Sequence, residues 1–507
     1  MPLSATRFRI LLVALLAVSF LGALDNTVVA TSLATVAGQL GALEHMSWIV
    51  VGYTLASTVL LPVLGRLGDT LGPRPVFLAS LAVFVLASLA CGFAGTMAWL
   101  IAARVVQGAS SAGLQLLSQT IVARTTSPRQ RPKYMAIIGA AFPVAILIGP
   151  VLGGLITDTW GWPWVFWVNV PVGVVAFVLA LVAVPHLAGG RSRTRFDTAG
   201  AATMTIGLAA LVMAATWLGD PQLRAAAIAA AVVAVLAFGA FALAETRAQS
   251  PIVPLHLFTN RTIAAGTAVS AIIGVGLFSI TSYLPTYFQM AYRTTATVSG
   301  LVPIATVFGM LVSNLLSGWL VSRTGHYRAF PVVGTALGAL GLGTMALLPV
   351  GLPLWVPMAV MAVVGLGTGG FMSLIIAVVQ SAAPTSEMGA VTAAVNLVRS
   401  VGSTVTTAVI GGLIGFGVAA LLPAGLDAAA LTPAAVHSAP AALQAQVAEI
   451  YRGVFAPIFV GLAITYALGI AISALLPPGR LPDTHEEVLA VPEPRPVRVP
   501  TLEVEQS

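Results

Sequence analysis

Residues 65–74 read Gly-Arg-Leu-Gly-Asp-Thr-Leu-Gly-Pro-Arg, and residues 318–325 repeat part of this pattern as Gly-Trp-Leu-Val-Ser-Arg-Thr-Gly. The outer glycines and the leucine keep the same spacing in both copies, which stand about half the chain length apart. A repeat on this scale predicts a chain made of two halves with like topology. The copies differ in charge, because Ser322 stands where the first copy has Asp69.

The segments on either side of these copies are long enough to cross a membrane. The sequence contains about fourteen apolar segments of roughly twenty residues, and a helix of that length spans a hydrocarbon core of about 30 Å. Charged residues make up only 8% of the chain and the mean hydropathy is +0.99, which excludes a soluble globular protein. We therefore predict an all-α integral membrane protein, with a turn inside the long stretch 389–420. The predicted segments are 10–33, 47–66, 76–94, 98–121, 135–157, 164–185, 199–218, 224–244, 263–288, 299–321, 330–349, 354–380, 389–420 and 453–476.

The basic residues predict how these segments are oriented. With both termini cytoplasmic, 18 of the 23 Lys and Arg residues fall on the cytoplasmic side and three fall outside. This asymmetry is typical of multi-pass membrane proteins. The formal charge of +7 therefore needs no nucleic-acid partner. Tryptophans that fall near predicted outer ends, as in an aromatic belt, are Trp48, Trp160, Trp162, Trp164 and Trp355.

Asp25 is the acid that lies well inside a predicted membrane segment, within Leu-Asp-Asn-Thr at residues 24–27. A carboxylate at such a depth costs about 2.5–3.5 kcal/mol on insertion scales. If the carboxylate faces an aqueous cavity from alternate sides, it can take up a proton on one side and release it on the other. A structural acid bound to a neighbouring hydroxyl or amide is the alternative, and the residues alone leave both open.

The loop at residues 65–74 predicts a conformational latch. Asp69 can accept hydrogen bonds from a helix N-terminus or from an arginine, and such bonds form in one conformation and break in another. Gly65, Gly72 and Arg74 complete the candidate switch in this loop. A charged loop that only fixes membrane topology is the alternative.

Two further motifs lie within membrane segments. Residues 104–108 read Arg-Val-Val-Gln-Gly, so Arg104 is a buried cation that needs a partner. In the segment 135–157, small residues permit close helix approach, and a proline removes one backbone hydrogen bond. Backbone bonding by the arginine and ordinary small-residue packing are the alternatives. The candidate switch residues of that segment are Gly149, Pro150, Gly153 and Gly154.

These stretches together resemble the major facilitator superfamily. The loop at 65–74 is similar to its signature loop, residues 104–108 to its arginine motif, and the glycines and proline of 135–157 to its antiporter motif. Residues 24–29, 162–171 and 196–200 resemble motifs of its fourteen-helix drug:proton antiporter group. The resemblance covers about residues 10–476. The chain departs from the group at Pro163, where an arginine is usual, and at Ser322.

The resemblance implies two six-helix bundles, at 1–190 and 262–476, separated by two inserted helices within 191–261. It also implies a proton-coupled antiporter that exports amphipathic drugs, antibiotics or related metabolites, with the proton gradient as energy source and no cofactor. Asp25 and Arg104 are then the proton-coupling residues. We expect a monomer in the bacterial cytoplasmic membrane, whose partners are a small amphipathic molecule, protons and the lipid bilayer. The proline-rich tail 477–507 is expected to be disordered, and the outer loop 421–451 to contain a short surface helix.

Two other functions stay open at this point. One is a dedicated exporter of a single lipid, siderophore or metabolite on the same fold. The other is a membrane scaffold or sensor that transports nothing, although a scaffold has no need of a buried proton site. Many multidrug members of the group carry further membrane acids, and the predicted membrane segments here have none besides Asp25, which disfavours recognition of dications.

Enzymatic and metal chemistry are not indicated by the sequence. Cys91 is the single cysteine, and the six histidines lack ligand spacing, so neither a disulfide nor a metal site is expected. A phosphate-binding loop with Lys-Ser/Thr is missing, which disfavours ATP-driven pumping. Residues 365–370 match a dinucleotide fingerprint, but they lie inside an apolar segment with no preceding strand.

Polar or aromatic residues in otherwise apolar segments are candidates for a substrate cavity. Apolar and aromatic walls with few polar groups suit bulky lipophilic ligands. Helix packing is the alternative for each residue. Arg399 has no membrane acid near it in sequence, and we expect it close to the inner loops. The cavity candidates are Tyr53, Gln115, Gln119, Tyr283, Tyr287, Gln289, Asn314 and Asn396.

Overall fold

The computed structural model describes residues 4–41, 45–187, 189, 197–217, 222–248, 251–252, 255–422 and 433–483, and the described chain is helical, with no strand. Single turns of 3-10 helix lie at Leu255–Thr259 and Thr385–Glu387, and a π-helical turn lies at Gly274–Phe278. The α-helices are α1 (Ala5–Gln39), α2 (Met46–Leu71), α3 (Pro73–Gly92), α4 (Met97–Thr125), α5 (Arg131–Gly139), α6 (Ala141–Trp160), α7 (Pro163–Trp167), α8 (Asn169–Ala183), α9 (Thr198–Trp217), α10 (Arg224–Arg247), α11 (Arg261–Ile273), α12 (Ser279–Thr281), α13 (Leu284–Ala291), α14 (Ala296–Thr324), α15 (Ala329–Leu347), α16 (Trp355–Ser381), α17 (Met388–Leu421), α18 (Pro433–Ser438) and α19 (Ala441–Ala474).

Twelve helical spans of the described residues are long and apolar enough to cross a membrane. The predicted all-α membrane fold is confirmed. The predicted segment 98–121 forms α4, which lies outside the twelve because it carries a row of polar residues. The predicted segment 263–288 forms α11 to α13, a run that the π-helical turn interrupts.

The helices form two halves with separate apolar cores. One large cluster of buried residues comes from residues 257–481, while two other clusters come almost entirely from residues 11–184. We call the helices α1–α8 the N-half and the helices α11–α19 the C-half. The inserted pair, α9 and α10, packs together, and α9 also contacts α2 of the N-half and α17 of the C-half.

Local sequence explains how the chain turns between helices. Gly72 has φ +90° and separates α2 from α3, and Pro73 follows it at the first position of α3, where its missing N–H costs nothing. Ser4, Thr96 and Thr295 each accept a hydrogen bond from a backbone N–H three residues on, so they cap α1, α4 and α14.

Two expectations about the C-half are wrong. The stretch 389–420 contains no turn, because α17 runs unbroken from Met388 to Leu421. The tail is ordered at its start: Leu481 is buried, and its backbone N–H donates to the carbonyl oxygen of Gly325 at 3.0 Å. The rest of the tail, residues 484–507, and the arginines of the linker at 190–196 lie outside the described residues. In the outer loop, α18 supplies the expected short helix, and residues 423–432 are not described.

Candidate functional site

A fully buried ion pair lies within the N-half. Asp25 is on α1 and Arg104 is on α4, and 2.5 Å separates Oδ2 of the acid from Nη1 of the arginine. Neither side chain is exposed to solvent. Gln107 and Asn169 donate from their side-chain amides to the other oxygen, Oδ1, at 2.9 and 2.8 Å. Both carboxylate oxygens of Asp25 therefore accept hydrogen bonds, and the bond from Arg104 is charge-assisted.

Arg104 connects this ion pair to an aromatic ring. Its Nε donates to the carbonyl oxygen of Ile49 at 3.2 Å, and its Nη1 also donates to Oε1 of Gln107 at 2.7 Å. The guanidinium carbon lies 4.1 Å from the centroid of the Tyr53 ring, which is a cation–π contact. The Tyr53 hydroxyl in turn donates to Oγ of Ser111 at 2.7 Å.

A central cavity of about 360 Å³ lies between the two halves. Tyr53 and Ser111 line it, whereas Asp25 and Arg104 do not, so Tyr53 stands between the ion pair and the cavity. The walls of the cavity are richer in polar groups than the sequence suggested. Polar side chains among the lining residues are Ser19, Asn26, Tyr53, Thr54, Ser57, Thr58, Ser111, Gln115, Gln119, Ser373, Arg399, Ser400, Ser403 and Thr404.

The predicted cavity residues fall into three groups. Tyr53, Gln115 and Gln119 line the cavity. Asn314 and Asn396 join the halves at its border: Asn314 Nδ2 donates to the carbonyl oxygen of Ala136 at 2.9 Å, and Asn396 Nδ2 donates to Oε1 of Gln119 at 2.8 Å.

The other three candidates lie in the C-half and are not lining residues. Tyr287 is buried in an aromatic cluster, with its ring centroid 4.8 Å from that of Phe455. Tyr283 donates to the carbonyl oxygen of Thr407 at 2.9 Å, which ties α17 to the turn before α13. Gln289 lies on α13, outside the lining of the cavity. Tyr283 and Tyr287 therefore serve helix packing in this conformation.

Arg399 lies on the cavity wall rather than near the inner loops, so the expectation for this residue is wrong. Its side chain is buried, with 8% exposed, and its Nη2 donates to Oδ1 of Asn396. Nη1 has no hydrogen-bond partner among the described residues. The expectation rested on the lack of a membrane acid near Arg399 in the sequence, which gives no distance between this helix and the cavity.

The loop at 65–74 fastens the two halves at one end of the bundle. Asp69 accepts hydrogen bonds from the backbone N–H groups of Gly389 and Ala390, at 2.9 and 2.8 Å, and these residues begin α17. Arg124 of α4 donates to the same carboxylate at 2.8 Å. The carboxylate thus caps a helix N-terminus of the opposite half, where the helix dipole favours a negative charge. We call this end, with the turns at 72, 126–130, 325–328 and 382–387, the latch end.

Glycines bring the helices together beneath this contact. A Cβ at Gly65 would lie 2.8 Å from the carbonyl oxygen of Gly389, so no larger residue fits there without a shift. At Gly72, an added Cβ would lie 2.6 Å from the carbonyl oxygen of Leu187. Arg74 does not reach the latch: it donates to the carbonyl oxygen of Leu181 at 2.8 Å and contacts His186, within the N-half.

Other contacts reinforce the latch end. Arg129 of the N-half forms an ion pair with Asp483 of the tail at 2.6 Å and donates to the carbonyl oxygen of Arg323 at 2.7 Å. Arg131 donates to Oγ of Ser381 at 3.4 Å. All these contacts connect the halves on one side of the cavity, so the cavity is closed toward the latch end.

The glycine–proline motif lies where α6 packs on α1. A Cβ on Gly149 would collide with Thr27, and one on Gly153 would collide with Thr31 and the backbone at Val28, so both glycines are needed for this close approach. A Cβ added at Gly154 would meet no atom within 4 Å, so the space there does not require a glycine. Pro150 lies inside α6 on its exposed side.

Three partners of the predicted residues were missed from the sequence. Asn169 and Gln107 complete the shell of Asp25, and Arg124 pairs with Asp69. Gln107 and Asn169 lie within the motifs at 104–108 and 162–171, and Arg124 is one of the basic residues assigned to the cytoplasmic side. The sequence therefore pointed to their positions. It did not give their distances from the acids, because spacing along a chain gives no distance between helices.

Two helical halves around a polar cavity that is closed at one end define, by their geometry, a membrane transporter. The model of the Major Facilitator Superfamily matches residues 15–407, so the chain belongs to this superfamily, which places it among transporters rather than enzymes.

Relatives of known family support this assignment. An uncharacterized MFS-type transporter of Mycobacterium tuberculosis is 31% identical over 493 residues, which are 96% of this chain and 72% of the relative. The multidrug transporter protein MdtP of Bacillus subtilis is 30% identical over 413 residues, covering 80% and 75%. The acurin A biosynthesis cluster MFS-type transporter of Aspergillus aculeatus is 30% identical over 419 residues, also covering 80% and 75%.

Solved structures of low identity share the fold. The proton:xylose symporter XylE superposes with a TM-score of 0.62 at 14% identity, over 96% of this chain and 99% of the symporter. The human organic anion transporter MFSD10 (TETRAN) gives a TM-score of 0.60 at 15% identity, over 92% and 99%. At such identities the likeness describes the fold alone.

Proposed function

We propose that this protein is a proton-coupled antiporter that exports small amphipathic molecules by alternating access. The observation that carries the proposal is the position of the Asp25–Arg104 pair, behind the cavity wall and in contact with Tyr53. The names of two relatives, a multidrug transporter and a transporter of a biosynthesis cluster, agree with export. We place the protein in a bacterial cytoplasmic membrane as a monomer, with the latch end and both termini cytoplasmic.

Protonation of Asp25 would change the contacts of Arg104. In the charged state Oδ2 accepts from Arg104 and Oδ1 accepts from two amides. A proton on Oδ2 would face the N–H of Arg104, so two donors would compete for one position and the pair would separate. The released guanidinium lies against Tyr53, and its movement would alter the cavity wall. Proton binding and cargo binding would thereby oppose each other.

The latch supplies the second conformational element. In this structure Asp69 holds the start of α17, and the cavity is closed toward the latch end. With that end cytoplasmic, this conformation is the one in which cargo leaves outward and a proton enters from outside. Rupture of the Asp69 contacts would open the cavity inward, and the two states need differ by only a few kcal/mol.

The number of membrane spans and the polar lining of the cavity add detail to this proposal. Adding α4 and the interrupted run α11–α13 to the twelve apolar spans of the described residues gives fourteen, a number that agrees with the proposed drug:proton antiporter group. The many hydroxyl and amide groups of the cavity favour a second candidate, a dedicated exporter of one metabolite, because fixed polar groups narrow the range of ligands.

Proteoliposomes with an internal pH dye test the proposal. We expect an outward-directed gradient of an amphipathic probe, either ethidium or anilinonaphthalene sulfonate, to move protons in the opposite direction. Asp25→Asn should abolish the proton movement, whereas the exposed Arg452→Gln should not. Equal proton movement in wild type and Asp25→Asn would contradict coupling at Asp25.

A further inference from the structure

Arg399 is the charged side chain that lines the central cavity, and all other lining residues described are uncharged. More than nine-tenths of the side chain is buried. One nitrogen, Nη2, donates to Asn396, while Nη1 has no hydrogen-bond partner among the described residues, and none of the ion pairs described includes this arginine. The cavity therefore contains a positive charge that none of the described residues neutralises.

An unpaired cation at this depth is unfavourable. A charged side chain at the centre of a membrane helix costs about 2.5–3.5 kcal/mol, and such residues normally pair with an acid or with backbone carbonyls. The N-half follows this rule, since Asp25 neutralises Arg104. Arg399 lines the cavity, so an anion there can supply the missing partner when the side chain, whose Nη1 is buried, turns toward it.

The neighbourhood of Arg399 suits an oxyanion. A guanidinium group offers paired N–H donors that match a carboxylate, sulfonate or phosphate. Ser400, Ser403 and Thr404 follow on the same helix and also line the cavity, and Gln115 lies on the wall that the N-half contributes. Hydroxyl and amide groups can donate to further oxygens of an anion.

We propose that Arg399 binds the oxyanion group of the cargo, so that the exported molecule is an amphipathic organic anion. This inference rests on the proposed transport function and names its substrate class. Through Arg399, the bound anion also affects the contact between the halves. Arg399 donates to Asn396, and Asn396 donates to Gln119 of the N-half at 2.8 Å. An anion that draws Arg399 toward itself competes with these hydrogen bonds. Cargo binding therefore weakens this contact between the halves in the closed state.

A cysteine reporter measures the charge of the cavity without requiring transport. Ser403 lies four residues after Arg399, on the same side of the helix, and is partly exposed, while the native Cys91 is buried. In Ser403→Cys, we compare the modification rates by an anionic and a cationic methanethiosulfonate of similar size. We expect the anionic reagent to be favoured, and Arg399→Gln to lower the ratio of anionic to cationic rates on the order of tenfold.

Matched variants separate charge from structure. Arg399→Lys keeps the charge and should keep most of the preference for the anionic reagent. Arg452→Gln removes an exposed arginine that pairs with Glu449 at 2.8 Å and is not a lining residue, so it should leave the ratio unchanged. Protection of the introduced thiol by 2-naphthoate, and much less by 2-naphthamide, would identify the anionic class.

The outcomes distinguish this inference from the transport proposal. An unchanged rate ratio in Arg399→Gln, equal protection by the acid and the amide, or a thiol that neither reagent reaches would each overturn the role of Arg399. The proteoliposome comparison of wild type with Asp25→Asn would then still test proton exchange independently of Arg399. Conversely, a charge-dependent ratio in a protein that moves no protons would retain the anion site and overturn the proposed antiport.

Discussion

Each half of the molecule contains one buried arginine close to the central cavity, and the two differ in how their charge is balanced. Arg104 is paired with Asp25, is fully enclosed and contacts the cavity only through the ring of Tyr53. Arg399 lines the cavity, donates to one amide and forms no ion pair with a described acid. Each arginine has one terminal nitrogen without a hydrogen-bond partner among the described residues, so the ion pair is what separates them. The difference suggests a division of labour: the N-half holds a proton site, and the C-half holds the site for the charged part of the cargo.

The largest expected effect comes from removing one member of the paired site. Arg104→Gln leaves Asp25 as an uncompensated buried charge, which should destabilise the fold by about 3–5 kcal/mol. The double variant with Asp25→Asn should recover most of that loss. Thermal unfolding can be followed by the reaction of a dye with Cys91, which is buried and lies 3.6 Å from Gln107 in the same site. A double variant as unstable as the single one would show that charge balance is not what matters there.

A substitution at the latch should have a smaller effect, and it should change the balance between conformations. Asp69→Asn removes the charge from three hydrogen bonds, two of which join the halves, and should weaken the closed state by about 1.5–3 kcal/mol. A thiol introduced at Ser381 should then react faster with a water-soluble reagent. Ser322→Ala is the matched control, because this residue occupies the equivalent position of the repeat and donates only to the carbonyl oxygen of Trp319 in its own helix, at 2.8 Å. Equal acceleration in both variants would contradict a specific latch.

A smaller change of opposite sign is expected at the unpaired arginine. Arg399→Gln removes a buried charge that has no counter-ion among the described residues, so the free energy of unfolding should rise, by about 1 kcal/mol, in the absence of cargo. The same dye assay measures it. A loss of stability as large as that of Arg104→Gln would show that the protein itself balances this charge.

The smallest effect is expected at the tail. Asp483 is exposed and pairs with Arg129, and exposed ion pairs contribute less than about 1 kcal/mol. Asp483→Asn should therefore shift the unfolding midpoint little. A marked shift would mean that the segment 477–483 fastens the halves as firmly as Asp69 does.

The sequence predicted those features that depend on local composition. Apolar length predicted the helical membrane fold, and the residue pattern at 65–74 predicted the kinds of partner that Asp69 has, a helix N-terminus and an arginine. Arg104 was expected to need a partner, and the structure identifies it as Asp25, at 2.5 Å. The start of the tail was misjudged because its ordering depends on Gly325 and Arg129, which are far away in the chain. The polar character of the cavity was missed because it arises from hydroxyls on several helices that only the fold brings together.

Proton release from the purified protein tests the central claim most directly. Anilinonaphthalene sulfonate, followed by ethidium, is added to the unbuffered protein, and the pH change is compared for wild type, Asp25→Asn and Arg452→Gln. We predict that cargo binding expels protons, up to about one per molecule, from wild type and from Arg452→Gln, and none from Asp25→Asn. Release of the same size from Asp25→Asn would contradict the account, because the proton that exchanges with cargo would then reside elsewhere.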